Sequence, residues 1–105
     1  MTSKTDKPQK EKRKEERQKC SVKAGCATHD LSFIDFISDI NCWGVFIQSE
    51  HQIPVGESVI MNIPLMRDEQ SIKVIGEVMW TSPQGMGVRF NMGIAATLLD
   101  GILKS

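Results

Sequence analysis

The chain has 105 residues, with 13 basic and 13 acidic side chains and a formal net charge of zero. That length suits one domain with one core, and no run of 18 apolar residues is present to cross a membrane as a helix. The zero balance is a sum of two halves. Residues 1–19 hold eight Lys/Arg against four Asp/Glu, and residues 20–105 hold five against nine, so +4 faces −4.

Apolarity divides at the same place. Residues 2–19 contain no Ala, Val, Ile, Leu, Met, Phe, Trp, Tyr or Cys, whereas residues 20–105 contain 41 of them in 86 positions. A segment without apolar side chains cannot fold by burial, so residues 1–19 are expected to be a basic flexible tail and residues 20–105 a compact body. The N-terminus has no apolar stretch behind its charges and no Gly at position 2, so neither a signal peptide nor myristoylation is expected. Three cysteines without a CxxC spacing fit a reducing compartment. On one strand Cys20 and Cys26 would sit about 20 Å apart, too far to bridge. The expected location is cytoplasmic.

In chain order, Cys20–Ala27 reads as a first, weakly patterned strand. Leu31–Ile40 follows, with Phe33 and Ile37 on one face and Ile34, Phe36 and Ile40 on the other, as for a strand covered on both sides. Asp39 to Gly44 reads as a connection, and Val45–Gln48 as the third strand. Pro54-Val-Gly56 is turn material. Glu57–Leu65 alternates with Val59, Met61 and Ile63 on one face, and Met66–Gln70 is a polar hairpin loop. In Ser71–Trp80, alternation places Ile72, Val74, Val78 and Trp80 together. Pro83-Gln-Gly85 then turns the chain into Met86–Asn91, where Met86, Val88 and Phe90 alternate with Gly87 and Arg89. The period changes at the end. Ile94, Leu98 and Ile102, flanked by Ala95, Leu99 and Leu103, outline an amphipathic helix. Six antiparallel strands of this length favour a closed or nearly closed β-barrel, so the expected class is all-β with a C-terminal helix.

Two short patterns bear on function. Arg13-Lys-Glu-Glu-Arg17 is an RxxxR at the end of the tail. Its spacing sends two guanidinium forks the same way on a helix or a strand, which suits a planar anionic partner. The second is Asp39-Ile40-Asn41-Cys42-Trp43-Gly44.

Together these resemble the RxxxR and [D/N]xSxxG motifs of PilZ domains, receptors for the bacterial second messenger cyclic di-GMP. In that family the first motif lies just before the first strand and the second lies between strands two and three, as here. Gly44-Val-Phe-Ile47, Ile53-Pro-Val-Gly56 and Asn62-Ile-Pro-Leu65 look like the family's third and fourth strands. Gly76-Glu-Val-Met-Trp80 and Gly85-Met-Gly-Val-Arg-Phe90 look like its final hairpin. The resemblance covers about residues 13–103 and implies a six-stranded barrel binding cyclic di-GMP. It also implies roles. Arg13 and Arg17 would grip guanine edges and phosphates, Asp39 would accept hydrogen bonds from guanine, and Gly44 would allow close backbone approach or a positive φ. Asn41 stands where the family has Ser, but retains an acceptor and donors, and is expected in the site. Lys12, Lys14, Cys42 and Trp80 are further candidate contacts, Trp80 because some family members place an aromatic there.

No paired carboxylates, phosphate-cradling Gly loop or identifiable base for Cys42 points to catalysis, so no enzyme and no catalytic residue is expected. His29 and His51 have no zinc-type spacing with the cysteines, and neither a metal nor a cofactor is expected. The expected partners are cyclic di-GMP and a downstream protein, with a monomer as the default. Two alternatives are a PilZ-fold adaptor that has lost the nucleotide and a small nucleic-acid-binding barrel. The second is disfavoured by scattered aromatics and an acidic body.

Overall fold

The computed structural model describes residues 16–65 and 70–103. Its strands are β1 (Gln18–Ala27), β2 (Ser32–Ile40), β3 (Gly44–Gln48), β4 (Ser58–Pro64), β5 (Ser71–Ser82) and β6 (Gly85–Phe90), followed by helix α1 (Ala96–Leu103). They close into an antiparallel barrel in the order β1-β2-β3-β6-β5-β4, so the expected barrel and its C-terminal helix are both present.

Turn chemistry explains the connections. The Thr28 N–H donates to the Leu31 carbonyl at 2.8 Å and closes the β1–β2 turn. Gly56 has φ 95°, and the Glu57 N–H donates to the Pro54 carbonyl at 3.1 Å. That left-handed position is one a side chain rarely adopts, and the turn is tied to β5 by the Gly56 N–H, which donates to the Val78 carbonyl at 2.8 Å.

The interior is built from alternating residues. Val59, Met61 and Ile63 of β4 are all fully buried, with Val45, Ile47, Val78, Met86, Val88 and Phe90 around them. Leu99 and Ile102 of α1 are buried in the same core. Leu98, expected on the inner stripe, is 36% exposed. The helix begins at Ala96 rather than Ile94, whose N–H donates to the Cys42 carbonyl at 2.8 Å.

The ladders carry three register shifts, one in β1–β2 between Lys19 and Val22 and two that turn side chains to the unexpected face. The β2–β3 ladder shifts between Ile37 and Asp39, so Ile40 turns inward and is fully buried instead of sharing a face with Ile34 and Phe36. Those two residues are 66% and 44% exposed, so the outer face of β2 is not covered by the described residues. The β5–β6 ladder shifts between Val78 and Trp80, which sends Trp80 outward although Val74 and Val78 point in. Asp39 lies within β2, paired opposite Lys19 and Phe46, rather than in a connection.

The cysteines are free thiols. Burial, and secondarily Asp35, pushes the Cys26 thiol up to about 12, and burial followed by Asp39 raises Cys20. The Cys20 thiol donates to the Ile37 carbonyl at 3.5 Å.

Ile40→Ala should lower the unfolding free energy by about 2–5 kcal/mol in urea denaturation, whereas Ile34→Ala should change it by no more than about 0.5 kcal/mol. Equal small effects would show that the β2 bulge does not turn Ile40 inward. A second expectation concerns alkaline pH. The unfolded chain releases the Cys26 proton near the ordinary thiol value of 9.0 and the folded chain near 12, so stability is full below pH 9 and is lost as pH rises between them. The slope should reach about 1.4 kcal/mol per pH unit for this thiol, and Cys26→Ala should remove it from the alkaline limb of a pH–stability profile.

Candidate functional site

Strands β1 and β3 begin, and β2 and β6 end, at one rim of the barrel. At that rim a concavity of about 450 Å³ is lined by Arg17, Asn41, Trp43, Gly44 and Arg89, and by Met79, Trp80, Gly87 and Val88 on its wall. It brings together residues from both sequence motifs, which lie more than twenty positions apart.

Arg17 precedes β1, and its Nη1 donates to Asp39 Oδ1 of β2 at 3.1 Å. The two side chains are 38% and 27% exposed, so the pair contributes at most about 1 kcal/mol to stability. Its consequence is positional, since it holds the Arg17 guanidinium against the rim. Asp39 reaches the site through this contact.

The connection between β2 and β3 is fixed by Asn41. Its Oδ1 accepts from the backbone N–H groups of Trp43 at 2.7 Å and Gly44 at 2.9 Å, an Asx-turn, while its own N–H donates to the Gly44 carbonyl at 3.0 Å. Asn41 is buried, and its oxygen serves the loop. The loop is tied outward as well, since the Phe90 N–H donates to the Trp43 carbonyl at 2.7 Å. Trp43 itself is 51% exposed and lies over Gly93, where a Cβ would strike the indole.

Gly44 is needed for close approach, and the neighbour is the protein's own backbone. A Cβ there would collide with the Val88 carbonyl, and the residue is not among the positive-φ glycines. Gly87 has the matching role under Trp80. It pairs with Phe46 on one side and Trp80 on the other, and a Cβ would enter the Trp80 ring. Trp80 therefore lies across Gly87 and stacks on Phe46, with centroids 5.3 Å apart and planes at 24°. At 46% exposure it keeps part of its surface open to the concavity.

Of the sequence-level candidates, Arg17, Asn41, Gly44 and Trp80 line the concavity and Asp39 joins it through Arg17. Cys42 does not line it. It packs against the core instead. Lys12, Arg13 and Lys14 lie outside the described residues. Trp43, Met79, Gly87 and Arg89 were not singled out in the sequence. Trp43 had a signal, its place inside the second motif, and Met79 had one in the alternation that sets it on the face opposite Val74 and Val78.

The histidines lie elsewhere. His51 packs on Phe33 with centroids 4.6 Å apart, and His29 Nδ1 lies 2.6 Å from Glu57 Oε2, linking the β1–β2 turn to the start of β4. Asp30 is close to that pair, but all three belong to exposed or half-exposed turns.

Comparison with solved structures finds similarity to the Bacillus subtilis inhibitor of motility, MotI/DgrA, at a TM-score of 0.58 and 14% identity. The match covers 82% of this chain and 46% of that one, so the present chain spans less than half of that protein's length. Among curated proteins no sequence match is found. The sequence profile of the PilZ domain matches residues 11–103, a range that contains both arginines of the first motif, the Asx-turn and every strand of the barrel. The chain belongs to the PilZ domain family.

Proposed function

We propose that this barrel is a cyclic di-GMP receptor that relays the nucleotide signal to a partner protein. The observation that carries this reading is the convergence of Arg17, Asp39, Asn41 and Gly44, from two separate motifs, on one concavity with two indoles at its edge. Its chemistry matches the ligand group by group. A guanidinium offers paired donors to guanine O6 and N7 or to a phosphodiester. The Asp39 carboxylate accepts from guanine N1–H and its exocyclic amine. Trp80, braced on Phe46, presents an aromatic surface to a base.

Asn41, standing where the family has Ser, is compatible with binding and is also the residue on which the alternative of a non-binding adaptor rests. The Asn41 oxygen closes the turn with two backbone N–H groups, so the loop that presents Trp43 and Gly44 keeps its shape. Asn41 thus acts as a positioning residue.

Binding is an exchange at Arg17, which leaves its contact with Asp39 to meet the ligand. Arg13 would join it, drawing the apolar-free segment before Arg17 onto the rim and changing the surface a partner meets. No chemistry is performed on the ligand in this reading.

Calorimetric titration with cyclic di-GMP should give saturable binding, and Arg17→Ala and Arg13→Ala should each weaken it by about 1.5–3 kcal/mol. Absence of heat with the wild-type chain would rule out the receptor role and leave the adaptor. The relay is tested separately by amide hydrogen exchange. Protection in residues 1–16 should rise when the chain is saturated with the nucleotide, and unchanged exchange would refute relay by tail ordering.

A further inference from the structure

We infer that Arg89 is a further ligand-binding residue of the concavity and that its guanidinium takes a phosphodiester of cyclic di-GMP. The inference rests on the receptor reading above. Arg89 is the next-to-last residue of β6 and is paired on both sides, with Gly44 of β3 and Glu77 of β5. Its backbone is therefore held in two ladders, whereas Arg17 lies before the first strand. The side chain points out of the barrel, is exposed, and lines the same concavity as Arg17.

Its charge is unspent among the described residues. Opposite charges facing each other across a ladder commonly pair, yet no carboxylate lies within ion-pair distance of Arg89, although Glu77 is directly opposite. The carboxylate at the rim, Asp39, is engaged by Arg17. Beside Arg89 the surface is backbone, because Gly44 has no side chain and can have none against the Val88 carbonyl. An anion can thus come down onto the strand next to a guanidinium that has no partner to give up.

The ligand's chemistry selects which group that is. Asp39 and the indoles provide what a guanine needs, acceptors for its edge and flat surfaces for its face. Cyclic di-GMP also carries two phosphodiester charges, and these require cations. Arg89 contributes charge from a wall of glycines, and among the described residues no carboxylate is paired with it. Arg17 and Arg89 then hold the dinucleotide from two elements of the fold, one that must change partners and one already in place.

The test is titration of the full chain with cyclic di-GMP, comparing wild type, Arg89→Ala, Arg89→Lys and Lys23→Ala. Lys23 is an exposed cation of β1 outside the concavity, so its variant removes the same charge elsewhere. Arg89→Ala should weaken binding roughly 10- to 150-fold, the loss of a charged hydrogen-bond partner. Arg89→Lys should recover a substantial part, because an ammonium still pairs with phosphate but cannot fork onto a base edge. Lys23→Ala should bind within about twofold of wild type, and all variants should melt with the wild type, since both side chains are exposed. Binding by Arg89→Ala within twofold of wild type would overturn the inference and leave the receptor reading standing. Equal losses in Arg89→Ala and Arg89→Lys would overturn the phosphate assignment, and equal losses in Arg89→Ala and Lys23→Ala would reduce the effect to net charge. A wild-type chain that does not bind would overturn both the reading and the inference.

Discussion

Gly44 lies opposite Arg89 in the ladder that joins β3 to β6, and a side chain at Gly44 would run into the Val88 carbonyl. This close approach joins strands that are distant in sequence and shapes the concavity. Because β3 can lie flush on β6, the Asn41 turn comes to rest where the Phe90 N–H meets the Trp43 carbonyl. The same ladder sets Phe46 opposite Gly87, and Trp80 uses that gap to stack on Phe46. A side chain at Gly44 would part the second motif from the Gly87–Arg89 wall as well as loosen the barrel.

Much of this arrangement was legible in residues 20–105. The alternation of Val59, Met61 and Ile63 is intact in the structure, and so is the turn at Pro54 to Gly56. The two strand readings that failed, at Ile40 and Trp80, share a physical cause. Period-2 alternation assumes an unbroken pleat, and a bulge adds a residue that resets the faces downstream. Ile40 and Trp80 each lie just beyond such a shift, one turned in and the other turned out. The bulge that turns Trp80 outward also brings it to the wall of the concavity.

The site was legible in part for a different reason. Arg17, Asp39, Asn41 and Gly44 belong to short local patterns, so their residue types and spacing could be read without knowing the fold. Arg89 and Gly87 belong to the wall only through the registers β3–β6 and β5–β6. A register between distant strands depends on bulges and on which glycines allow contact, neither of which local periodicity records. Trp43 belongs to the second motif and lines the concavity, while Cys42 beside it packs against the core.

The charge split gives the rim its electrostatic character. Arg17 comes from the cationic end of the chain and Asp39 from the acidic body, and the two meet at the edge of the concavity. Such an exposed pair adds little to stability, so separating it costs little. In the proposed receptor reading, a dianionic ligand replaces the carboxylate at Arg17 and leaves Asp39 for a base. A buried pair would have resisted this exchange, because each charge freed in a low dielectric demands compensation at once. The half-exposed geometry of Arg17 and Asp39 thus gives a rim that is ordered without ligand and still able to change partners.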